Sequence, residues 1–332
     1  MIPGMVNPLS ISVIVPTLNA AQLLPAHLTS MQPWLDRVHE VIVVDSHSED
    51  ASVEIIRSQL KHPNLRILQH PRGLYQSWNH GIQQATAKYV YMSTVGDAIC
   101  ADGLRQLHDM SEHLACDIAI SKPHFIREDG SAAGETLWPI DDIISTLNVR
   151  HPVRLEGLTL VLFTAVNITG AILGSSASNL YRTQVFQRRP FPTNFGTVGD
   201  GAWGVTNMFD YKLGVTAARF STFREHPKAY AKSVYAIEDL NWKLFQLLTE
   251  VWEKRLIIDP ALRIMADRTN CGEVLSLVHD HLVWNRRLET ERARKLPWLL
   301  NPAAMWARRR RRHLHRLMHE RKQTALKSPG LL

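Results

Sequence analysis

Along the first 121 residues two spacings of apolar positions alternate. Short continuous runs, Ile11-Ser-Val-Ile-Val15, Val41-Ile-Val-Val44, Leu65 to Leu68, Tyr89 to Met92 and Asp117 to Ile120, are rich in β-branched residues and end at polar or turn-forming residues. Between them, about Ala21 to Leu35, Ala51 to Leu60, Tyr75 to Ala85 and Gly103 to Leu114, apolar residues recur at helical spacing. Runs without polar alternation are the mark of parallel strands buried on both faces. The pattern predicts an α/β fold with a doubly wound, mainly parallel sheet, whose ligand sits beyond the carboxyl ends of the strands. Those ends read Pro16-Thr-Leu-Asn19, Asp45-Ser-His-Ser48 and Thr94-Val-Gly-Asp97.

Further along, Leu158 to Leu173 is the longest apolar stretch. Its interspersed Thr, Asn and Gly residues favour buried strands or a core helix over a membrane span. Ser176 to Tyr181 and Gly214 to Phe220 are strand-like, and Arg188 to Gly201 is loop-like. Helical spacing returns at about Ile237 to Leu256 and Gly272 to Arg294. The expected organisation is an α/β domain over 1–235, a helical extension over 236–300 and a basic tail over 301–332.

Charge sharpens this division. The chain of 332 residues carries a net +7, yet the nine Lys/Arg and one Glu from Arg308 to Leu332 leave the first 307 residues at −1. The body is therefore near neutral, and nucleic acid is not an expected partner on the strength of one Arg run. Met305 and Trp306, with Trp298, Leu299 and Leu300, set apolar anchors beside that run. Such a segment suits an anionic membrane surface; the alternative is a solvated, partly disordered terminus. Three scattered cysteines fit neither a disulfide framework nor a zinc site and accord with a reducing compartment. No basic stretch precedes a long apolar run at the N-terminus. The expected location is cytoplasmic, with peripheral attachment to the inner face of the membrane.

Three strings taken together carry a resemblance: Ile11 to Asn19, Val41 to Asp50 and Gly73-Leu-Tyr-Gln-Ser-Trp-Asn-His-Gly81. In order and spacing they resemble the opening of the family 2 glycosyltransferases, inverting enzymes of the GT-A fold. The resemblance spans residues 10 to 230 and implies a nucleotide-sugar donor and a saccharide or lipid-linked acceptor. It places Pro16, Thr17 and Asn19 around the nucleoside, and Asp45 on its base or ribose. Arg72, Gly73 and Asn79 fall near the nucleotide and diphosphate. A strand-end carboxylate can accept a uracil N–H or ribose hydroxyls with charge-assisted strength. Read without the resemblance, Asp45 is equally an Asx-turn or helix cap.

The resemblance breaks where the family carries an Asp-X-Asp pair that holds a divalent metal. Thr94 and Gly96 stand at those two positions, and Asp97 follows one residue later. One carboxylate, with waters and phosphate oxygens, can hold Mg²⁺ or Mn²⁺, so a metal cofactor stays open; Asp97 could equally cap the following loop. Phe191 to Trp203 resembles the acceptor-side segment, which puts Asp200 at the position of the catalytic base. Its alternative is a cap on the helix that follows. His226 resembles a metal or diphosphate contact, and Arg224 and Lys228 could neutralise the leaving diphosphate directly. The missing acidic pair motivates an alternative, a noncatalytic nucleotide-sugar-binding protein. A nucleotidyltransferase is disfavoured because Pro16 to Ala20 lacks a Gly-rich basic loop.

Overall fold

The structure, a computed structural model, describes residues 9–168, 170, 172–225, 234–293, 301–329 and 331. The chain divides into two compact units. One comprises Met1–Leu155, Ile172–Trp203 and Tyr211–Tyr230; the other comprises Glu156–Ala171, Gly204–Asp210 and Ala231–Leu332.

The first unit is built on an eight-stranded sheet. Its strands are β1 (Leu9–Thr17), β2 (Val38–Asp45), β3 (Leu65–Gln69), β4 (Tyr89–Met92), β6 (Ile118–Ile120), β8 (Val153–Leu155), β9 (Asn179–Arg182) and β10 (Leu213–Val215). They lie in the order β3-β2-β1-β4-β9-β6-β10-β8. Six strands run in one direction, and β9 and β8 run against them. The sheet is thus mainly parallel, as its uninterrupted apolar runs require. Ile11, Val13, Ile14 and Val15 of β1 are all fully buried, which only a central strand covered on both faces can achieve.

The helices provide that cover. Val13, Val15, Val41 and Val43 share one core with Leu24, Leu28, Met31 and Trp34 of α1 (Leu24–Leu35), Ile56 of α2 (Ser52–Gln59) and Leu104 and Leu107 of α4 (Ala101–His113). The opposite face, with Ile14 and Val44, receives α3 (Leu74–Gln84). A Cβ on its Gly81 would come within 2.6 Å of Ile14 Cγ2, so the glycine sets how closely helix and sheet approach. A second, small sheet of β5 (Ala98–Ile99), β11 (Ser221–Arg224) and β7 (His124–Ile126) joins the loop after β4 to the end of the unit. The strand-like stretch Ser176 to Tyr181 begins as a 3₁₀ turn, Ser176–Ser178, and becomes the antiparallel β9. Helices α5 (Pro139–Leu147) and α7 (Thr183–Arg188) complete this unit, and α8 (Gly199–Asn207) opens at Asp200's neighbour.

The second unit is helical. The long apolar stretch forms α6 (Gly157–Val166), in which Leu158 through Val166 are all buried, as a core helix demands. Helices α9 (Val234–Ile258) and α10 (Pro260–Arg268) lead into an antiparallel pair, α11 (Cys271–Ala293) and α12 (Pro302–Leu326). Contacts Asn285–Arg311 at 2.9 Å and Glu273–Arg321 at 3.0 Å fix the opposite directions of that pair. The basic stretch is thus a helix: Ala307, Leu314, Met318, Lys322, Ala325 and Leu326 are buried. Asn301 caps it by accepting from the Ala304 N–H. Among the described residues no helix is long and apolar enough to cross a membrane.

Candidate active site

The parallel strands deliver their polar ends to one edge of the sheet. Thr17 and Asp45 are register partners on β1 and β2, and β4 ends alongside at Ser93, whose N–H donates to Ile14 O. Ser46 N–H donates to Thr17 O, and His70 N–H, after β3, donates to Asp45 O. Side chains then tie these loops together. Asp45 is fully buried, with Oδ1 accepting the Ser48 hydroxyl at 2.6 Å and Oδ2 the Ser48 N–H at 3.1 Å. The carboxylate thus closes a local turn onto the residue three positions on, in which His47 stands at φ 57°. Asn19, also at positive φ, accepts the Glu49 N–H at 2.8 Å, while its own N–H reaches Ser48 Oγ. Glu49 lies 3.6 Å from Arg72, an exposed pair of small energetic weight that leaves the guanidinium accessible. Pro16 and Thr17 close β1, Thr17 being buried.

Gly73, the residue before α3, has φ +156°, a backbone conformation that residues with a side chain rarely adopt. Glycine therefore permits the turn from Arg72 into the helix. Two turns of α3 then reach a distant loop. The Asn79 amide forms a two-way clasp with Phe191, donating to its carbonyl at 2.8 Å and accepting its N–H at 2.9 Å. The resemblance put Asn79 at the nucleotide; here its amide is engaged by backbone 112 residues away. The Tyr75 hydroxyl lies 2.9 Å from Asp200 Oδ1 and 3.0 Å from Thr197 O. Phe191 packs on the Tyr75 and Trp78 rings, and a Cβ on Gly199 would meet the Tyr75 ring at 2.6 Å. The segment from Phe191 to Asp200 is thus seated directly on the first two turns of α3.

Asp200 is half-buried, and burial pushes its carboxyl up to about 6, against the opposing pull of the Gly201 N–H and the Tyr75 hydroxyl. Both of these donors bond Oδ1. Among the described residues Oδ2 receives no donor, so one oxygen is fixed in place and the other is available for a proton. Burial also drives the Tyr75 phenol far above its ordinary range, so it stays an O–H donor. Tyr75 had no assigned role in the sequence, although it stands two residues beyond Gly73 in the motif. Tyr75→Phe is expected to move the acid limb of the kcat/KM profile to higher pH, because the carboxylate loses a bond that favours its charged form. An unmoved limb would show that Tyr75 does not tune Asp200.

Asp97 is buried, and its Oδ1 accepts the Arg224 N–H at 2.9 Å. Burial pushes its carboxyl up to about 7, only partly offset by Arg224. His27 of α1 holds the same loop: its Nδ1 lies 3.0 Å from Asp97 O and its Nε2 3.1 Å from Ser93 Oγ. Nδ1 must carry the proton to meet a carbonyl, so Nε2 accepts from the serine. Burial lowers this imidazole to about 4, keeping it neutral. His27, one histidine among 16, offered no signal in the sequence. The Arg224 guanidinium donates to the carbonyls of Gly96, Arg127 and Glu128, bracing the Asp97 turn. Thr94 Oγ1 meets Ser176 Oγ at 2.8 Å, and Gly96 sits at φ +104°. His226 and Lys228 lie outside the described residues.

Among the described residues no three His, Cys, Asp or Glu side chains group to hold a metal ion. A single carboxylate at Asp97 does not make a protein-built cage. That donor set fits a divalent cation only where the ion keeps most of its water shell.

Comparison with known proteins relates part of the chain to one enzyme family. The model of Glycosyl transferase family 2 matches residues 12–147, the segment holding Asp45, Gly73 and Asp97. Glycosyltransferase GlyA of Streptococcus pneumoniae is 24% identical over 258 residues, covering 74% of this chain and 33% of that protein. A PGL/p-HBAD biosynthesis glycosyltransferase of Mycobacterium bovis is 29% identical over 152 residues, covering 42% of this chain and 56% of its own. The chain thus spans between a third and just over half of the length of these curated relatives. The crystal structure of Staphylococcus aureus TarS 1–349 in complex with UDP-GlcNAc superposes with a TM-score of 0.51 at 17% identity, covering 93% of this chain and 90% of that one, a likeness of fold. Residues 12–147 thus match the family 2 glycosyltransferase model, and the sheet and strand-end loops of that segment accord with the match.

Proposed function

We propose that the α/β unit transfers a monosaccharide from a nucleoside-diphosphate donor to a saccharide or lipid-linked saccharide acceptor, with inversion. The observation that supports this best is the bond from Tyr75 to Asp200, which brings an acceptor-side carboxylate to the helix that follows Arg72 and Gly73. Asp200 Oδ2 takes the acceptor hydroxyl proton as that oxygen attacks the anomeric carbon. The bond from that carbon to the diphosphate breaks, and its electron pair leaves with the nucleoside diphosphate. Inversion follows because base and leaving group lie on opposite faces of the sugar. The UDP-GlcNAc held by TarS supports a nucleotide-sugar donor. Arg72 is the exposed cation beside the glycine turn, placed for phosphate oxygens. Mg²⁺ or Mn²⁺ on the donor diphosphate would take Asp97 and supply further charge neutralisation; Arg224 contributes through the turn it braces.

The test is release of nucleoside diphosphate from UDP-, GDP- and dTDP-sugars, with and without saccharide acceptors, Mg²⁺, Mn²⁺ or EDTA. Acceptor-dependent release, with the product anomer opposite to the donor's by NMR, is expected. Binding without release under every condition would favour the noncatalytic alternative, and retention of configuration would remove Asp200 as the base.

Asp45→Ala is expected to weaken donor binding by about 10–100-fold, the value of a charge-assisted hydrogen bond. Ser48→Ala separates the two readings of that residue. It removes the turn's hydroxyl while keeping the carboxylate, so its Kd should change far less. Equal losses in the two variants, measured by calorimetry, would leave Asp45 with the turn alone.

A further inference from the structure

The second unit carries a basic and apolar surface on α12, none of whose residues belongs to the site described above. Helix α12 buries Ala307, Leu314 and Met318 and leaves Arg308, Arg309, Arg310 and Arg312 exposed. Arg311 is bonded to Asn285, Arg316 lies 3.8 Å from Glu320, and Arg321 pairs with Glu273. Among the described residues, Arg308, Arg309, Arg310 and Arg312 are in no ion pair.

The placement of these charges is unfavourable for the helix itself. Arg308 with Arg312, and Arg312 with Arg316, are like charges four residues apart, which repel. The run begins in the second turn, near the positive end of the helix macrodipole, while the helix's one acid, Glu320, lies near the negative end. An isolated soluble helix gains nothing from this inverted pattern, whereas a dense layer of anions relieves it.

The same region is apolar as well as basic. A cavity of about 900 Å³ is lined by Leu288 of α11 and by Met305, Trp306, Arg309, Arg312 and Arg316, among others. Met305 is 44% exposed and Trp306 53%. The Trp306 ring stands edge-on to Trp284 at 4.4 Å, with the Arg287 guanidinium 5.0 Å and 5.6 Å from the two rings. Phosphates alone would satisfy the arginines, but exposed Trp306 and Met305 in one concavity with them call for an apolar layer directly behind the phosphates. A bilayer of anionic phospholipid has that order of charge and hydrocarbon, and tryptophan favours such an interface.

We propose that the N-terminal half of α12 docks on an anionic phospholipid bilayer. The arginines meet headgroup phosphates, and Trp306 and Met305 enter the boundary with the acyl chains. This assignment stands apart from the transfer chemistry and would survive its failure.

The experiment is co-sedimentation of the full chain with vesicles of phosphatidylcholine, with or without about a third phosphatidylglycerol, at about 0.1 M NaCl, where charges are screened over about 10 Å. Binding to the phosphatidylglycerol vesicles alone is expected. The triple variant Arg308→Glu, Arg309→Glu, Arg312→Glu should bind them at least about 100-fold more weakly, since each basic residue near such a surface contributes roughly a factor of five. Its circular dichroism should match the parent's and its Tm should not fall, because like charges are relieved. Met305→Asp and Trp306→Ala should each weaken binding while its salt dependence remains. Nucleoside diphosphate release with a soluble acceptor should be the same in all of them. Absence of sedimentation, or a triple variant that sediments like the parent, would overturn the proposal. So would an oligonucleotide that binds more tightly than the vesicles while Trp306→Ala leaves vesicle binding unchanged, which would give the surface to nucleic acid.

Discussion

Asp200→Asn is expected to lower turnover by about 10²–10⁴-fold while donor affinity stays within a factor of about two, the range of a removed general base. Asparagine is the informative replacement because its oxygen can still accept from Tyr75 and Gly201, the two groups that hold Oδ1. The side chain keeps its place and loses only the capacity to take a proton through the second oxygen. The parent enzyme should also show a limb in kcat/KM near pH 6, since burial lifts the carboxyl to about 6. Above that pH the group is ionised and competent; below it the proton is already present and the rate falls. Single-turnover release of nucleoside diphosphate, with donor affinity measured separately by thermal shift, checks both parts. Turnover near the parent rate would mean that another group accepts the proton.

Asp97→Asn is expected to raise stability and lower activity together. Burial pushes the folded parent's carboxyl up to about 7, well above the ordinary range of an exposed aspartate near 4. A carboxyl whose folded value is raised stabilises the native state at low pH, and that contribution is lost as pH climbs from about 4 through about 7. Asparagine carries no such liability, and its oxygen keeps the Arg224 N–H. The difference in Tm, variant minus parent, should be small near pH 4, grow towards pH 7 and then level off, at roughly 2–4 °C for each kcal/mol involved. Melting in EDTA from pH 4 to 8 measures it. At pH 8 donor turnover should fall at least about tenfold, the exchange of activity for stability expected where a charge is buried for function. Parallel Tm curves for the two proteins would show that Asp97 is not a strained carboxylate.

The central strands were legible because burial on both faces leaves no polar alternation, and Ile11 to Val15 shows it. The antiparallel direction of β9 was not, since the apolar pattern of a strand does not encode its sense, and Asn179–Arg182 reads alike in either orientation. The small sheet escaped notice for a simpler reason: Ala98–Ile99 is too short to display any period. At the site, Asp45 and Asp97 stood out as polar residues at strand ends, and Gly73 and Asp200 through the family resemblance. Their partners did not. Asn79 reaches Phe191, Tyr75 reaches Asp200 and His27 reaches Asp97 across separations that local sequence cannot express. Asp45 answered to both of its readings in sequence, and the structure fills its turn role with Ser48.

Tyr75 and Asn79 stand one helical turn apart, and each fastens the segment that runs from Phe191 to Asp200. Fastening at two points removes the pivot that a single bond would leave. Any tilt or slide imposed on α3 by whatever settles against Arg72 and Gly73 must therefore carry Asp200 with it, as one lever moves both its arms.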